Sequence, residues 1–252
     1  MKKTREDVII VGVYVDDLIL TGSSAELIKK FKQEMMQKFE MSDLGLLSYY
    51  LGIEVKQNGE AITLCQSAYA RKILEKMGIT DCNTCHIPME PRCKLSNYDG
   101  EPLVDATTYR SIIRSLRYLV NTRPDLAVGV VSRYMEAPTT AHMSAVKQIL
   151  RFVRGTLDVG CVYKKDQANE DLVGYSDNDL AEDTDDRKST TGVMFLLGES
   201  PITWMSQKQR IVALSSCEAE YIAATGSACQ GIWLTRLMES LRGDRQGICS
   251  LY

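Results

Sequence analysis

The spacing of apolar positions changes character several times along the chain. Residues 8–14 are a continuous, β-branched-rich apolar run, and residues 18–20 are a second one, with Asp16-Asp17 between them. This pattern predicts two short strands that turn at the aspartates. Ser23 and Glu26 have the S-x-x-E spacing of a capping box. Leu27, Phe31, Met35 and Phe39 follow four apart with lysines between, so a helix is expected to open at Ser23. Residues 49–55 and 61–65 flank Asn58-Gly59 and predict a hairpin. Residues 67–77 return to helical spacing and stop at Gly78. A loop-rich stretch carries Pro88, Pro91 and Pro102. Three helices are then expected over 109–121, 125–136 and 141–154, set off by Pro124, Pro138 and Gly155. Beyond residue 160 the period changes to that of strands, over 161–164, 172–176, 192–197 and 202–206. A long helix over 216–241 and a last apolar stub at Tyr252 complete a β-β-β-α-β order, that of an α+β layered domain.

The bulk composition narrows the class. A length of 252 residues allows one large domain or two smaller ones. Hydrophobic and charged fractions of 44% and 25% are those of a soluble globular protein. No apolar run reaches the roughly 18 residues of a membrane span, so no membrane role is expected. The acids at Glu6 and Asp7, with no small-residue cleavage site, argue against a signal peptide. The expected setting is a reducing intracellular one, cytoplasmic or nuclear, with the eight cysteines as free thiols.

Charge is unevenly placed. Residues 107–155 hold eight Lys/Arg against Asp125 and Glu136, whereas residues 166–252 hold fourteen acidic residues against seven basic ones. A basic middle beside an acidic end fits a phosphate-binding surface next to a metal-binding one, and it fits a solvated helix face equally well.

Tyr14-Val15-Asp16-Asp17 is the first candidate for chemistry. Two adjacent acids between apolar strands repel each other, and a divalent cation between them reverses that repulsion. The bland alternative is an acidic hairpin turn, where Asp is common. Cys82-Asn83-Thr84-Cys85-His86 has the haem c attachment spacing, and with Cys93 it has the residue types of a zinc site. It lacks the context of either, so a variable loop is the favoured reading.

A resemblance joins these features. Residues 8–23 look like the metal-binding hairpin of a reverse-transcriptase palm. Tyr49-Tyr50-Leu51-Gly52-Ile53-Glu54-Val55 resembles the segment that follows it in copia-type retrotransposon Pol polyproteins. Arg123-Pro124-Asp125-Leu126, Ser132-Arg133-Tyr134-Met135 and His142 with Ala145-Val146-Lys147 resemble the link to RNase H in the same family. Gly174-Tyr175-Ser176-Asp177, the run from Asp186 to Gly192, Trp204 to Gln209, and Ala213 to Ala223 resemble its RNase H domain.

The resemblance implies a partial reverse-transcriptase palm over 1–106, a basic helical thumb or connection over 107–158, and an RNase H-like βββαβ domain over 159–252. It makes Asp16 and Asp17 metal ligands of a polymerase, and Asp177 and Glu220 ligands of a nuclease that cuts the RNA strand of RNA/DNA hybrids with two Mg²⁺ or Mn²⁺ ions. Glu218 is expected to cap its helix from Ser215, leaving Glu220, roughly 200° around the helix, to face the sheet where Asp177 ends its strand.

Arg110, Arg114, Arg117, Lys147, Arg151 and Arg154, with Arg187, Lys188 and Lys208, are the candidate contacts to an RNA/DNA hybrid or other nucleic acid. Trp204 is expected in a core. Other Pol-derived polypeptides are expected partners, because the family's polymerase uses a further Asp upstream and its nuclease an Asp-Asn pair downstream. Leu180 and Glu182 stand where the family usually has Trp and Gly. The chain by itself is therefore expected to be inactive or nearly so, with hybrid binding without cutting, or no function at all, as the alternatives.

Overall fold

The structure, a computed structural model, describes residues 7–90, 93–165, 171–242 and 249–252. Pro91 of the predicted loop lies outside them. The chain is a mixed α+β protein with several sheets, and it divides into two compact units, residues 1–50 and 51–252.

In the first unit, β1 (Ile9–Tyr14) and β2 (Asp17–Gly22) form an antiparallel hairpin in which Tyr14 faces Asp17. Helix α1 (Ala25–Lys38) follows, then a two-residue strand β3 (Tyr49–Tyr50). The cap of α1 is Ser24, which accepts the Leu27 N–H at 3.4 Å, and not Ser23 as the spacing predicts. Ser23 is already engaged, because its hydroxyl accepts the Val8 N–H at 2.9 Å and closes the base of the hairpin. Leu27, Phe31 and Met35 form the half-buried face of α1, while Phe39 lies past its end and is exposed. Lys32 grips Asp43 at 2.8 Å, and that ion pair, with the Gly45 N–H, holds the Asp43 carboxyl below its usual pKa.

The second unit begins with a break. Leu51 and Gly52 both have positive φ (47° and 78°), which ends the strand predicted over 49–55 and restarts it as β4 (Ile53–Gln57). Asn58 then turns the chain, its side-chain oxygen accepting the Glu60 and Ala61 N–H groups. Strand β5 (Ala61–Cys65) pairs antiparallel with β4 on one side and with β6 (Cys161–Lys164) on the other. The strand expected to open a separate domain at 159 thus completes the sheet of residues 53–65. Gly160 permits the approach, since a Cβ there would lie 2.1 Å from the Leu64 carbonyl oxygen.

The helical layer comprises α2 (Ser67–Lys76), α3 (Ala106–Leu119), a single turn α4 (Val128–Val131) running into a 3₁₀ turn (Ser132–Tyr134), and α5 (Thr140–Gly155). Each long helix buries one stripe. Tyr109, Ile113, Leu116 and Leu119 come from α3, and Val146, Ile149, Leu150 and Val153 from α5. Asp105 caps α3 through the Thr107 and Thr108 N–H groups. The helix predicted over 125–136 is much shorter than expected. Its start carries the β-branched Val128, Val130 and Val131, and at Gly129 a Cβ would lie 3.0 Å from the Ser206 hydroxyl. Packing on a strand therefore replaces helix continuation.

Strands β7 (Leu172–Asn178), β8 (Thr190–Leu197) and β9 (Ser200–Lys208) form an antiparallel meander, and β10 (Ser250–Leu251) adds parallel to β7. The sheet order is β10-β7-β8-β9. Helix α6 (Ser216–Arg242) covers it, burying Ala219, Ala223, Ser227 and Leu234. The elements β7, β8, β9, α6 and β10 follow one another in the order β-β-β-α-β, and the strand at 161–164, expected to belong with them, pairs with β5 instead.

A buried ion cluster ties this sheet to the helices. Asp183 is 6% exposed; its carboxylate takes Lys208 at 2.6 Å, Arg133 at 3.5 Å and the N–H groups of Asp185 and Asp186. Burial alone raises its pKa, but the Lys208 and backbone bonds prevail and hold it at about 2, against 3.8 for the free group. The neighbouring Thr184 and Asp185 bond to Leu95, Ser96 and Asn97. A folded pKa below the unfolded one gives stability that is full above about pH 4 and is lost as pH falls through about 2. Asp183→Ala is expected to cost about 3 kcal/mol at neutral pH, because it leaves two cations without their buried partner. Urea titrations at neutral and acidic pH should show that deficit shrinking below pH 4; a constant deficit would refute the assignment.

Candidate functional site

Two exposed carboxylate pairs and a set of basic side chains carry the predicted chemistry. The β1–β2 turn is two residues long, Val15-Asp16, so Asp16 sits at the tip and Asp17 opens β2. Val15 has φ 50°, which a β-branched side chain rarely adopts, so the turn holds strain of the kind found at functional positions. Asp16 and Asp17 are both exposed, and no third donor joins them among the described residues. Two carboxylates with open space fit one hydrated Mg²⁺ whose remaining ligands are water or phosphate.

Asp177 is exposed near the end of β7. Its register partner is Gly192, which leaves space above the strand, and its Oδ1 accepts the Asn178 N–H at 2.8 Å. Gly174 pairs with Phe195, and a Cβ on Gly231 of α6 would lie 3.4 Å from the Phe195 ring, so α6 covers that face. Asp177 is an odd number of residues from Gly174 and projects to the opposite face, as Tyr175 does. The start of α6 is anchored by Gln209, whose Nε2 bonds to Thr191 Oγ1 and to the Ala219 carbonyl. Thr191 is paired with Asn178, so the helix start lies at the same end of the sheet as Asp177.

Ser215 accepts the Glu218 N–H and Glu218 accepts the Leu214 N–H at 2.6 Å, giving Glu218 the capping role expected from its spacing. Glu220 is exposed, three residues before the buried Ala223. It therefore borders the buried stripe of α6 and does not enter it. Asp177 and Glu220 come from two sides of the sheet at one end. Among the described residues, no three His, Cys, Asp or Glu side chains are grouped to hold a metal. Adjacent Asp16 and Asp17 thus fit a single loosely held cation, and the residues present do not fit the closely spaced metal pair of two-metal chemistry.

The basic residues separate into two kinds. Arg151 gives its Nε to the Asn83 carbonyl at 2.7 Å, and Arg154 reaches the carbonyls of Thr80 and Cys82. Arg110 reaches the Met135 carbonyl, Lys188 pairs with Asp186, and Lys208 with Asp183 and Asp186. Arg114, Arg117, Lys147 and Arg187 are exposed, and no hydrogen bond or ion pair holds their side chains among the described residues. The Cys82–His86 loop is knitted to the last turns of α5 by Arg151 and Arg154, and the Cys82 thiol donates to the Ile79 carbonyl. All eight cysteines are free thiols. Trp204 is half-buried, its indole N–H on the Val120 carbonyl at 2.9 Å, as expected of a packing residue. Sequence reasoning missed Asp183 and Asp185 as organisers; the only signal was the acid cluster at 182–186.

Comparison with known proteins defines the class. Residues 1–91 match the family model described as reverse transcriptase (RNA-dependent DNA polymerase). The chain is 38% identical over 238 residues to the retrovirus-related Pol polyprotein from transposon RE1 of Arabidopsis thaliana, covering 94% of this chain and 16% of that protein. It is 38% identical over 250 residues to the corresponding polyprotein from transposon TNT 1-94 of Nicotiana tabacum, covering 94% of this chain and 19% of that one. It is 31% identical to the putative transposon Ty5-1 protein of Saccharomyces cerevisiae, covering 89% of this chain and 74% of that protein. The chain belongs to the copia-type retrotransposon Pol polyprotein family, and it spans under a fifth of the length of the RE1 and TNT 1-94 polyproteins.

If the free cations bind nucleic acid, Arg114→Ala and Arg117→Ala should each reduce the salt dependence of hybrid binding by about one unit of slope, with little change in Tm. Arg151→Ala and Arg154→Ala should lower Tm and leave the slope unchanged. Fluorescence anisotropy across a salt series, with melting curves alongside, separates the two groups; the reverse pattern would overturn the division.

Proposed function

We propose that this chain supplies the Tyr-Val-Asp-Asp hairpin of a reverse transcriptase and the first carboxylates of an RNase H-like nuclease, acting on RNA/DNA hybrid with Mg²⁺ or Mn²⁺. The observation that carries the polymerase half is the exposed Asp16 and Asp17 at a strained two-residue hairpin tip, inside the segment that matches the reverse-transcriptase model. The nuclease half is supported by β7 lying inside the sheet with Asp177 near its end, and by the helix α6 whose start brings Glu220 to that end. The reading assigns residues 1–106 to the palm, 107–158 to a helical thumb or connection, and 159–252 to the RNase H-like part, with β6 lent to the sheet of β4 and β5. A bound cation would neutralise charge on phosphate oxygens. The residues of this chain would hold it and align the strand beside it.

Each place offers only two carboxylates, too few to grip two ions, so the chain by itself binds hybrid and cuts it weakly or not at all. Other Pol-derived polypeptides are the expected source of further ligands. A purely binding role is favoured by the free Arg114, Arg117 and Lys147, which track phosphate without needing metal.

The direct test is cleavage of a labelled RNA/DNA hybrid by the purified chain in Mn²⁺. Any cleavage is expected to vanish in Asp177→Asn and Glu220→Gln while hybrid affinity persists. Robust cleavage by both variants would sink the site assignment; loss of hybrid binding by the parent chain at low salt would sink the functional reading.

A further inference from the structure

His142 is fully buried, at the third helical position of α5, yet it belongs to none of the proposed chemistry. Its Nδ1 accepts the Thr139 N–H at 2.9 Å, closing a capping box in which histidine takes the place usually held by Glu or Gln. That bond fixes the tautomer, because an acceptor at Nδ1 leaves the proton on Nε2. Nε2 has no hydrogen bond of acceptable geometry, although the Ser96 backbone acts on the ring. Tyr134 stacks on the imidazole at 4.0 Å and 12°, and its own hydroxyl is spent on the Leu95 carbonyl. The Thr139 hydroxyl lies 3.0 Å from Nδ1 and donates to Asp99.

The capping box also holds a connection together. Thr139 bridges Leu103, Val104 N–H bonds to the Pro138 carbonyl, and Thr140 N–H to the Pro102 carbonyl. The segment leading into α3 is thus fastened to the start of α5 at the residues that His142 caps.

We propose that His142 is an acid-sensitive clasp whose protonation uncaps α5 and releases the 102–104 segment from residues 138–140. A proton on Nδ1 turns the acceptor of the Thr139 amide into a donor. The hydroxyl of Thr139 can take the new N–H, but the amide is left buried without a partner, and the ring carries a charge inside the core. The charged groups acting on the ring are Asp99 and Asp185, and both favour the imidazolium. Burial outweighs them and lowers the His142 pKa below 6.5. A depressed pKa means the unfolded chain binds the proton first, so stability is full above about pH 6.5 and is lost as pH falls through the folded value.

The chain has only His86 and His142, so His86→Gln leaves one imidazole to observe. In that variant, ¹⁵N shifts near pH 7.5 should show the neutral Nε2–H form. Between about pH 7.5 and pH 5, amide exchange at Val104, Thr140 and Met143 should speed up at least about tenfold beyond the intrinsic change. His142→Asn keeps an acceptor for the Thr139 N–H and does not titrate, so its exchange at these amides should not respond to acid. An Nδ1–H tautomer at neutral pH overturns the proposal, with or without a foldable His142→Asn variant. So does acid-induced exchange that is equal in the parent and His142→Asn chains, or protection at these amides that persists at pH 5.

Discussion

A carboxylate removed from water must be answered by cations and N–H groups, and Asp183 is where that requirement organises the larger unit. Its partners come from the end of β9, from the 3₁₀ turn after α4 and from its own loop. No hydrophobic contact would demand three particular elements at fixed distances in this way. The next two residues extend the constraint, Thr184 to Leu95 and Asp185 to Ser96 and Asn97. The loop after Asp177 is therefore bound to the helical layer on one side and to the sheet on the other. The continuation of the strand that carries Asp177 is thus fixed by hydrogen bonds on both sides. The buried Arg123 acts similarly within its own neighbourhood, bidentate to Asp125, bonded to the Thr156 carbonyl and stacked over Phe152.

Strong periodicity was readable wherever local and tertiary demands agree. The stripes of α3 and α5, the Asn58 turn and the stop at Gly78 required only apolar spacing and turn chemistry. The misreadings share a cause, which is a partner distant in sequence. Ser23 has a better claim on its hydroxyl from Val8 than from its own helix, so the cap moved one residue. The 125–136 segment has enough apolar residues for a helix, but Gly129 lies against Ser206 on β9 and packing shortened it. Residues 161–164 read correctly as a strand, yet nothing local says that their partner is β5, nearly a hundred residues earlier.

Of the candidate site, the turn and the helix cap were legible in the sequence and the facing of the side chains was not. Asp16 and Asp17 are at the hairpin tip that adjacent acids between apolar strands imply. The capping role of Glu218 followed from S-x-x-E spacing, which then singled out Glu220. What spacing alone could not supply was the face of the sheet. The expectation that Glu220 faces Asp177 used the helix period but not the strand period, and the register of β7 with β8 places Asp177 on the side away from α6.

Counting charge does not separate free cations from engaged ones, for a related reason. Eight Lys/Arg in 107–155 suggest a basic face, but a guanidinium is also the best available clamp for backbone carbonyls. Arg151 and Arg154 hold the loop of residues 80–83 to α5, and Arg123 is buried. Lys208 and Arg133 neutralise Asp183. A cation whose field is already answered by a carboxylate a few ångströms away presents little attraction to a distant phosphate, since solvent and counter-charge screen what is left. Of the candidate cations, Arg114, Arg117, Lys147 and Arg187 are the ones whose charge is not answered in this way among the described residues.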